Sequence, residues 1–166
     1  MTNALARTAL ALAFASGTAL AAEPATYSIK TLTPETALKA AQAALAKCRA
    51  EGVQVSVAVV DRSGLEQVML RDRFAGAHTP EAATNKAWTA VSFRTNTADL
   101  VKATQPGAPS SGVRHWARVA VVGGGVMIEA GGSILGGIGV SGAPTGETDD
   151  ACARAGIKAI ADSLEF

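Results

Sequence analysis

Histidine and cysteine, the residues that build most metal sites, are scarce in this chain, which contains two of each. There is no H-E-x-x-H motif and no C-x-x-C pair, which argues against a closed structural zinc site. The absence of C-x-x-C-H excludes the usual covalent attachment of haem. No serine lies in a G-x-S-x-G turn, which argues against acyl transfer. The chemistry that remains is non-covalent binding.

Aromatic side chains and net charge are also scarce. Phe, Trp and Tyr make up 4% of the chain, and beyond residue 21 basic and acidic residues are equal in number. Nucleic acids and anionic membranes bind proteins through an excess of basic side chains. The balanced charge therefore argues against both as partners.

The first 21 residues have the pattern of a secretory signal peptide. Arg7 precedes an apolar run at 9–15, and Ala19, Leu20 and Ala21 form a small-x-small cleavage site. The run is too short to span a membrane. We therefore expect cleavage near Ala21 and a periplasmic or secreted mature protein without a membrane span. Residues 22–32 are then an N-terminal extension, and residues 33–166 are a single domain.

Export favours a disulfide between the two cysteines. Cys48 and Cys152 each lie on the apolar stripe of a predicted helix, and both stripes must face the sheet. Because an oxidising compartment favours pairing, we predict a Cys48–Cys152 bridge. The alternative is two buried, unpaired thiols, since free cysteine is among the most buried residue types.

Hydroxyl and proline residues mark the helix starts. Thr33 and Pro34 begin a first helix that Gly52 ends, and Thr79, as the cap, and Pro80 begin a second. Short β-branched runs bounded by glycine or aspartate predict strands. The predicted helices are 34–51, 79–93 and one from about 145 onward, and the predicted strands are 53–60, 65–71, 118–122, 126–130 and 133–140.

This order of elements predicts an α+β fold with a central five-stranded, largely antiparallel sheet flanked by helices. Gly137, Gly139 and Gly142 have the G-x-G-x-x-G spacing of dinucleotide-binding proteins. A Rossmann unit needs a second strand about 20 residues further on, and the chain ends inside the next predicted helix. The glycines are therefore structural, or they allow close approach of a ligand or second subunit.

His78 is the main candidate for metal ligation. It precedes the second predicted helix, whose positive end favours the neutral imidazole that binds metals. Arg71 and Arg73 lie a few residues earlier and can hold carboxylates, such as haem propionates, by charge-assisted hydrogen bonds. The alternative role of His78 is to pack against the start of the helix.

His115 and Lys86 are two further binding candidates. His115 lies between Arg114 and Trp116, and it is either a second ligand or an exposed loop residue. Lys86 is an isolated basic residue on a helix rich in alanine. Its side chain either extends into solvent or faces a pocket.

A set of separate motifs resembles the GlcG/HbpS-like family, also called haem-degrading domain or DUF336 proteins. The motifs are Val59-Val60-Asp61-x-x-Gly64, Arg71 through Gly76-Ala77, Lys86-Ala87-x-Thr89-Ala90, Gly123-Gly124-Gly125, and Gly136-x-Ile138-Gly139-Val140-Ser141-Gly142 followed by Asp149. The resemblance covers nearly all of residues 33–164. It implies profilin-like α-β-α layering, assembly into homo-oligomers and, in some members, haem binding. Related domains accompany corrinoid adenosyltransferases.

The leading hypothesis is an exported, homo-oligomeric protein that binds haem non-covalently. His78 is then the first choice for the iron, Arg71 and Arg73 for the propionates, and His115 the second choice for the iron. A second hypothesis is an enzyme or accessory protein that acts on a small carboxylate or on a corrinoid or other tetrapyrrole through Lys86 and the arginines. A third is a structural assembly protein without a ligand. Fold transfers between relatives more readily than function.

Overall fold

The computed structural model describes residues 23–164, so the predicted signal peptide at 1–21 lies outside the described residues. Among residues 23–164, no helix is long and apolar enough to cross a membrane. The elements are α1 (Pro34–Ala50), β1 (Ser56–Asp61), β2 (Glu66–Arg71), α2 (Thr79–Phe93), α3 (Thr97–Ala103), a 3-10 helix (Ser111–His115), β3 (Gly125–Ala130), β4 (Ser133–Ser141), α4 (Gly146–Lys158) and a second 3-10 helix (Ala161–Ser163).

The predicted α+β fold is confirmed, with one strand fewer than expected. The strands form a sheet in the order β2-β1-β4-β3, and each neighbouring pair is antiparallel. Two tight connections, after β1 and after β3, join hairpin partners, as the glycine-bounded runs predict. The described sheet therefore has four strands, and β1 and β4 lie at its centre.

The predicted strand at 118–122 is wrong. Arg118 has a positive φ of 68°, which interrupts an extended run. The backbone N–H of Ala120 donates to Thr89 Oγ1 at 3.0 Å, and the Arg118 guanidinium lies over the Trp88 ring at 4.7 Å. The segment is therefore held by side chains of α2, whereas the β-branched pattern alone suggested pairing with a strand.

Helices cover both faces of the sheet, as in an α-β-α sandwich. α1 and α4 pack together on one face, and α2 packs on the other. The core is built mainly from alanine on the helices and from valine and isoleucine on the strands. Small helix residues let the helix axes approach the sheet closely, which compensates for the scarcity of large aromatic side chains.

Gly139 in β4 shows how closely α2 approaches. A β-carbon at this position would lie 2.0 Å from the carbonyl oxygen of Ala83 in α2. Only a bare backbone fits that distance. Gly139 therefore has a structural role, because a helix covers the sheet at this point and leaves no room for a side chain.

The first helix and its disulfide follow the sequence prediction. Thr33 Oγ1 caps α1 by accepting the N–H of Thr36 at 3.3 Å, and Gly52 has the positive φ typical of a helix end. Cys48 and Cys152 are bonded to each other, with their Cα atoms 5.6 Å apart. The bridge ties α1 to α4 inside the core.

Candidate functional site

A cavity of about 340 Å³ opens between the start of α2, the end of β4 and the start of α4. We call it the His78 cavity. Its lining includes His78, Ala82, Lys86, Val122, Pro144 and Asp149. His78 is exposed at the mouth, whereas Lys86 and Asp149 are buried at the floor.

Lys86 and Asp149 form an ion pair at the floor. Lys86 Nζ lies 2.7 Å from Asp149 Oδ2 and donates a second hydrogen bond to the Val140 carbonyl oxygen at 2.9 Å. Each charged side chain is 4% exposed. Asp149 Oδ1 accepts the backbone N–H of Ala143 at 3.1 Å. The pair therefore joins α2, β4, α4 and the turn between the last two.

Burial determines the proton affinity of Asp149. Loss of contact with water raises the pKa of this carboxyl group above its usual value. The Lys86 ammonium and the N–H of Ala143 favour the charged form and offset part of that rise. Asp149 is thus a better proton acceptor than an exposed aspartate.

The glycine triplet at 123–125 makes room for this pair. A β-carbon at Gly124 would lie 2.7 Å from Cβ of Asp149 and 3.1 Å from Lys86 Nζ. One at Gly125 would lie 2.4 Å from the Lys86 carbonyl oxygen. Side chains at either position would push the floor of the cavity apart, which gives the triplet a packing role.

His78 presents a free imidazole at the mouth of the cavity. It is the residue before α2, and its side chain does not cap the helix. Within residues 23–164 its ring nitrogens have no hydrogen-bond partner. The ring packs against bare backbone, since a β-carbon at Gly76 would lie 2.8 Å from His78 Cε1. The imidazole can therefore accept a ligand without first breaking a hydrogen bond.

Thr79 was predicted to cap α2, but it does not. Its hydroxyl donates to the Gly76 carbonyl oxygen at 2.7 Å and also lies 2.8 Å from Ser56 Oγ. It therefore ties the turn before the helix to β1. This contact fixes the backbone from which His78 projects.

Asp72 anchors the segment that leads from β2 to His78. Its buried carboxylate accepts two hydrogen bonds from Arg49 of α1, at 2.8 and 2.9 Å, and one from the N–H of Arg73 at 2.8 Å. The Arg49 hydrogen bonds lower the pKa of Asp72 to about 2, against the opposing effect of burial. The sequence pattern did not reveal this pair, because an aspartate in a charged tripeptide has the composition of a solvated loop.

Arg71 and Arg73 do not line the His78 cavity. The Arg71 guanidinium donates to the Ala75 carbonyl oxygen and so stabilises the turn before His78. Both side chains are exposed on the segment next to the cavity. Their proposed role as carboxylate partners stays a prediction.

His115 lies apart from the cavity, at the end of the first 3-10 helix. The neighbouring Arg114 donates to the carbonyl oxygens of Val101 and Thr104, which fixes this turn against α3. The structure thus brings His78 and Lys86 to one cavity and leaves His115 on a separate, exposed surface.

Lys86 faces a pocket, which was one of its two predicted orientations. Its partner Asp149 was noted only as part of a motif. The pairing could have been predicted on chemical grounds, because a lysine among buried alanines needs a buried acid as its partner. Among residues 23–164, no three His, Cys, Asp or Glu side chains form a metal-binding cluster.

A larger, mainly apolar groove of about 640 Å³ adjoins the His78 cavity. It lies between α3 and α4, and Val122 and Gly146 line both hollows. Val122 is 45% exposed, although it is a large aliphatic side chain. The two hollows together form a continuous surface with an imidazole at one side.

Comparison with known proteins agrees with this fold and its motifs. The family model described as "Haem degrading protein HbpS-like" matches residues 32–158. Over 116 residues the chain is 40% identical to the corrinoid adenosyltransferase PduO of Citrobacter freundii, covering 68% of this chain and 34% of PduO. The chain therefore spans about a third of that relative's length.

Two solved structures resemble the chain closely. A crystal structure of HbpS is 39% identical with a TM-score of 0.76, covering 81% of this chain and 93% of HbpS. A crystal structure of a PduOC–haem complex is 33% identical with a TM-score of 0.73, covering 78% and 95%. The resemblance stated from the motifs is confirmed, and this chain belongs to the HbpS-like family.

Proposed function

We propose that this protein binds haem non-covalently and that His78 is its ligand to the iron. The observation that carries the proposal is the free, exposed imidazole at the mouth of a cavity. The similarity to HbpS and to PduOC, which is described in complex with haem, supports haem as the ligand. His78 would hold the haem, and the bound haem would supply an iron centre.

The side chains around His78 fit such a group. Neutral imidazole is the commonest protein ligand of haem iron. Ala82, Val122, Ala143 and Pro144 give the cavity an apolar wall, and the adjoining apolar groove extends the surface available to a flat macrocycle. The role of this chain is thus to present one nitrogen and to exclude water from one face of the ligand.

Arg71 and Arg73 remain our choice for the propionate carboxylates. Both are exposed on the segment that leads to His78, so they can reach a ligand that extends out of the cavity. Arg71 already bonds the Ala75 carbonyl oxygen with one nitrogen, and a guanidinium has further donors for a carboxylate. Arg73→Ala should weaken haem binding without changing the spectrum of the bound iron.

A haemin titration of the mature, oxidised protein tests the proposal. We expect saturable one-to-one binding with a histidine-ligated Soret spectrum. His78→Ala should lose that spectrum and weaken binding roughly tenfold or more. His115→Ala is the matched control, because it removes the second exposed histidine, and it should bind as the wild type does. Unsaturable binding, or loss in His115→Ala alone, would refute the assignment.

Export and self-association are part of the same proposal. The signal-like pattern at 1–21 and the disulfide, which suits an oxidising compartment, support export. Exposed Phe74 and Trp116 support an interface between copies of the chain. N-terminal sequencing of the protein from a periplasmic or culture fraction tests the first part. Light scattering of the mature protein tests the second, and a monomer would contradict it.

A further inference from the structure

We propose that the pair at the floor of the His78 cavity forms a reversible imine with small 2-oxo acids. Lys86 is the nucleophile, and Asp149 takes up and returns its proton. The proposal does not depend on haem binding, since it concerns the floor of the cavity and not the imidazole at its mouth.

The cavity gives a ligand access to Lys86. Lys86 is 3% exposed as a residue, yet it lines a cavity of about 340 Å³. An ammonium group has three N–H donors, and the described residues supply two acceptors, Asp149 Oδ2 and the Val140 carbonyl oxygen. A pair that served only to join α2 and α4 would need no cavity beside it, because burial without a cavity gives better packing.

Asp149 is placed to accept a proton from Lys86. An amine must be neutral to attack a carbonyl carbon, so a lysine nucleophile needs a nearby base. Asp149 Oδ2 is 2.7 Å from Lys86 Nζ, and burial raises the pKa of Asp149, which favours proton transfer to it. The hydrogen bond from Ala143 holds the other carboxylate oxygen in place.

The reaction balances with these two groups alone. The Lys86 ammonium gives one proton to Asp149, and the neutral amine adds to the carbonyl carbon of the oxo acid. A proton moves from nitrogen to the new alkoxide, which gives a carbinolamine. Asp149 then returns its proton to the hydroxyl group, water leaves, and a protonated C=N bond forms beside the Asp149 carboxylate. No electrons are gained or lost.

The start of α4 favours a substrate that carries a carboxylate. Thr145 Oγ1 caps α4 by accepting the N–H of Thr148 at 3.2 Å. The N–H groups of the first two helix residues, Gly146 and Glu147, have no partner within the helix, and at a positive helix end such groups favour a carboxylate. Gly146, the first residue of α4, lines the cavity, as do Ser141 and Thr145. Lys86 for the carbonyl carbon and the α4 end for the carboxylate together specify a small acid with both groups, such as pyruvate.

Reductive trapping tests the proposal on haem-free, mature protein. The protein is incubated with pyruvate and cyanoborohydride, and modified lysines are located by peptide mass mapping. The other lysines serve as internal controls: Lys30, Lys39, Lys47, Lys102 and Lys158. We expect Lys86 to react roughly tenfold faster than any of these, with a rate that saturates with pyruvate. L-Lactate, which has the carboxylate but no carbonyl, should compete.

Two variants separate proton transfer from simple proximity. Asp149→Asn keeps the size of the side chain and should slow labelling of Lys86 about a hundredfold, as expected for loss of a general base. Asp150→Asn is the matched control, because Asp150 pairs with Arg154 outside the cavity, and it should label at the wild-type rate. Wild-type protein in which Lys86 is unlabelled, or labelled no faster than the exposed lysines, would overturn the proposal even if Asp149→Asn does not fold. Haemin binding is measured separately, so the two proposals can fail independently.

Discussion

Lys86→Met should be among the most destabilising single substitutions in the domain. It keeps the length of the side chain but removes the ammonium from a pair that is 2.7 Å apart and 4% exposed on each side. Asp149 then keeps backbone N–H groups, among them that of Ala143 at 3.1 Å, but no positive charge as a partner. Removing one member of a buried pair leaves an uncompensated charge and costs about 3 to 5 kcal/mol of unfolding free energy.

The loss should depend on pH, with a definite sign. Burial already raises the pKa of Asp149, and without Lys86 the main opposing influence is gone. A carboxyl group whose pKa is higher in the folded state stabilises the fold below its unfolded pKa and loses that contribution as pH rises. The unfolding free energy of Lys86→Met should therefore be closest to that of the wild type near pH 4, and the difference should grow as the pH increases towards 7.

Urea unfolding at fixed protein concentration, followed by far-UV circular dichroism, measures both effects. Lys102→Met is the matched control, because Lys102 and Asp99 form a pair at 2.9 Å that is 79% and 55% exposed. An exposed pair contributes about 0 to 1 kcal/mol. Lys86→Met/Asp149→Asn should recover part of the loss, because no charge stays buried. Equal stability of Lys86→Met and Lys102→Met at pH 7 would refute the reasoning.

Three further predictions concern the frame around the cavity. Replacing Cys48 and Cys152 together by alanine should cost about 4 to 5 kcal/mol in the chain-entropy model, since the bridge spans 104 residues; a loss below about 1 kcal/mol in urea unfolding would contradict this. The pKa of about 2 for Asp72, below its unfolded value, means that the Arg49 pair stabilises the fold above about pH 4 and that this is lost towards pH 2. Asp72→Asn should flatten that part of the stability–pH profile. Gly139→Ala should cost about 1 to 3 kcal/mol or prevent folding, because its β-carbon would lie 2.0 Å from a carbonyl oxygen of α2; thermal melting near the wild-type temperature would refute the close packing.

The parts of the fold that local chemistry determines could be predicted from the sequence. Thr33, Pro34 and Gly52 mark the ends of α1 through capping and φ preferences, which act within a few residues. The segment at 118–122 has the composition of a strand, but Thr89 of α2 takes its backbone hydrogen bonds. That competition comes from a helix almost thirty residues away, and no local pattern encodes it.

In the candidate site, too, single residues could be predicted from the sequence, whereas contacts between distant residues could not. His78 and Lys86 could be singled out as isolated polar residues in unusual positions, because each is a departure from its surroundings. Their partners could not be found in this way. Asp149 is 63 residues from Lys86, and Asp72 is 23 residues from Arg49. In each case the sequence around the aspartate is typical of an exposed charge, and only the fold places it beside a cation.

These two ion pairs hold the two ends of the His78 cavity independently. Asp72 and Arg49 fix the segment that carries His78 onto α1, whereas Lys86 and Asp149 fix α2 to α4 at the floor. The pairs share no residue, so changes at one end should leave the geometry of the other nearly unaltered. The haem binding proposed for the mouth and the imine formation proposed for the floor should therefore be separable by mutation, which a cavity held by a single network would not allow.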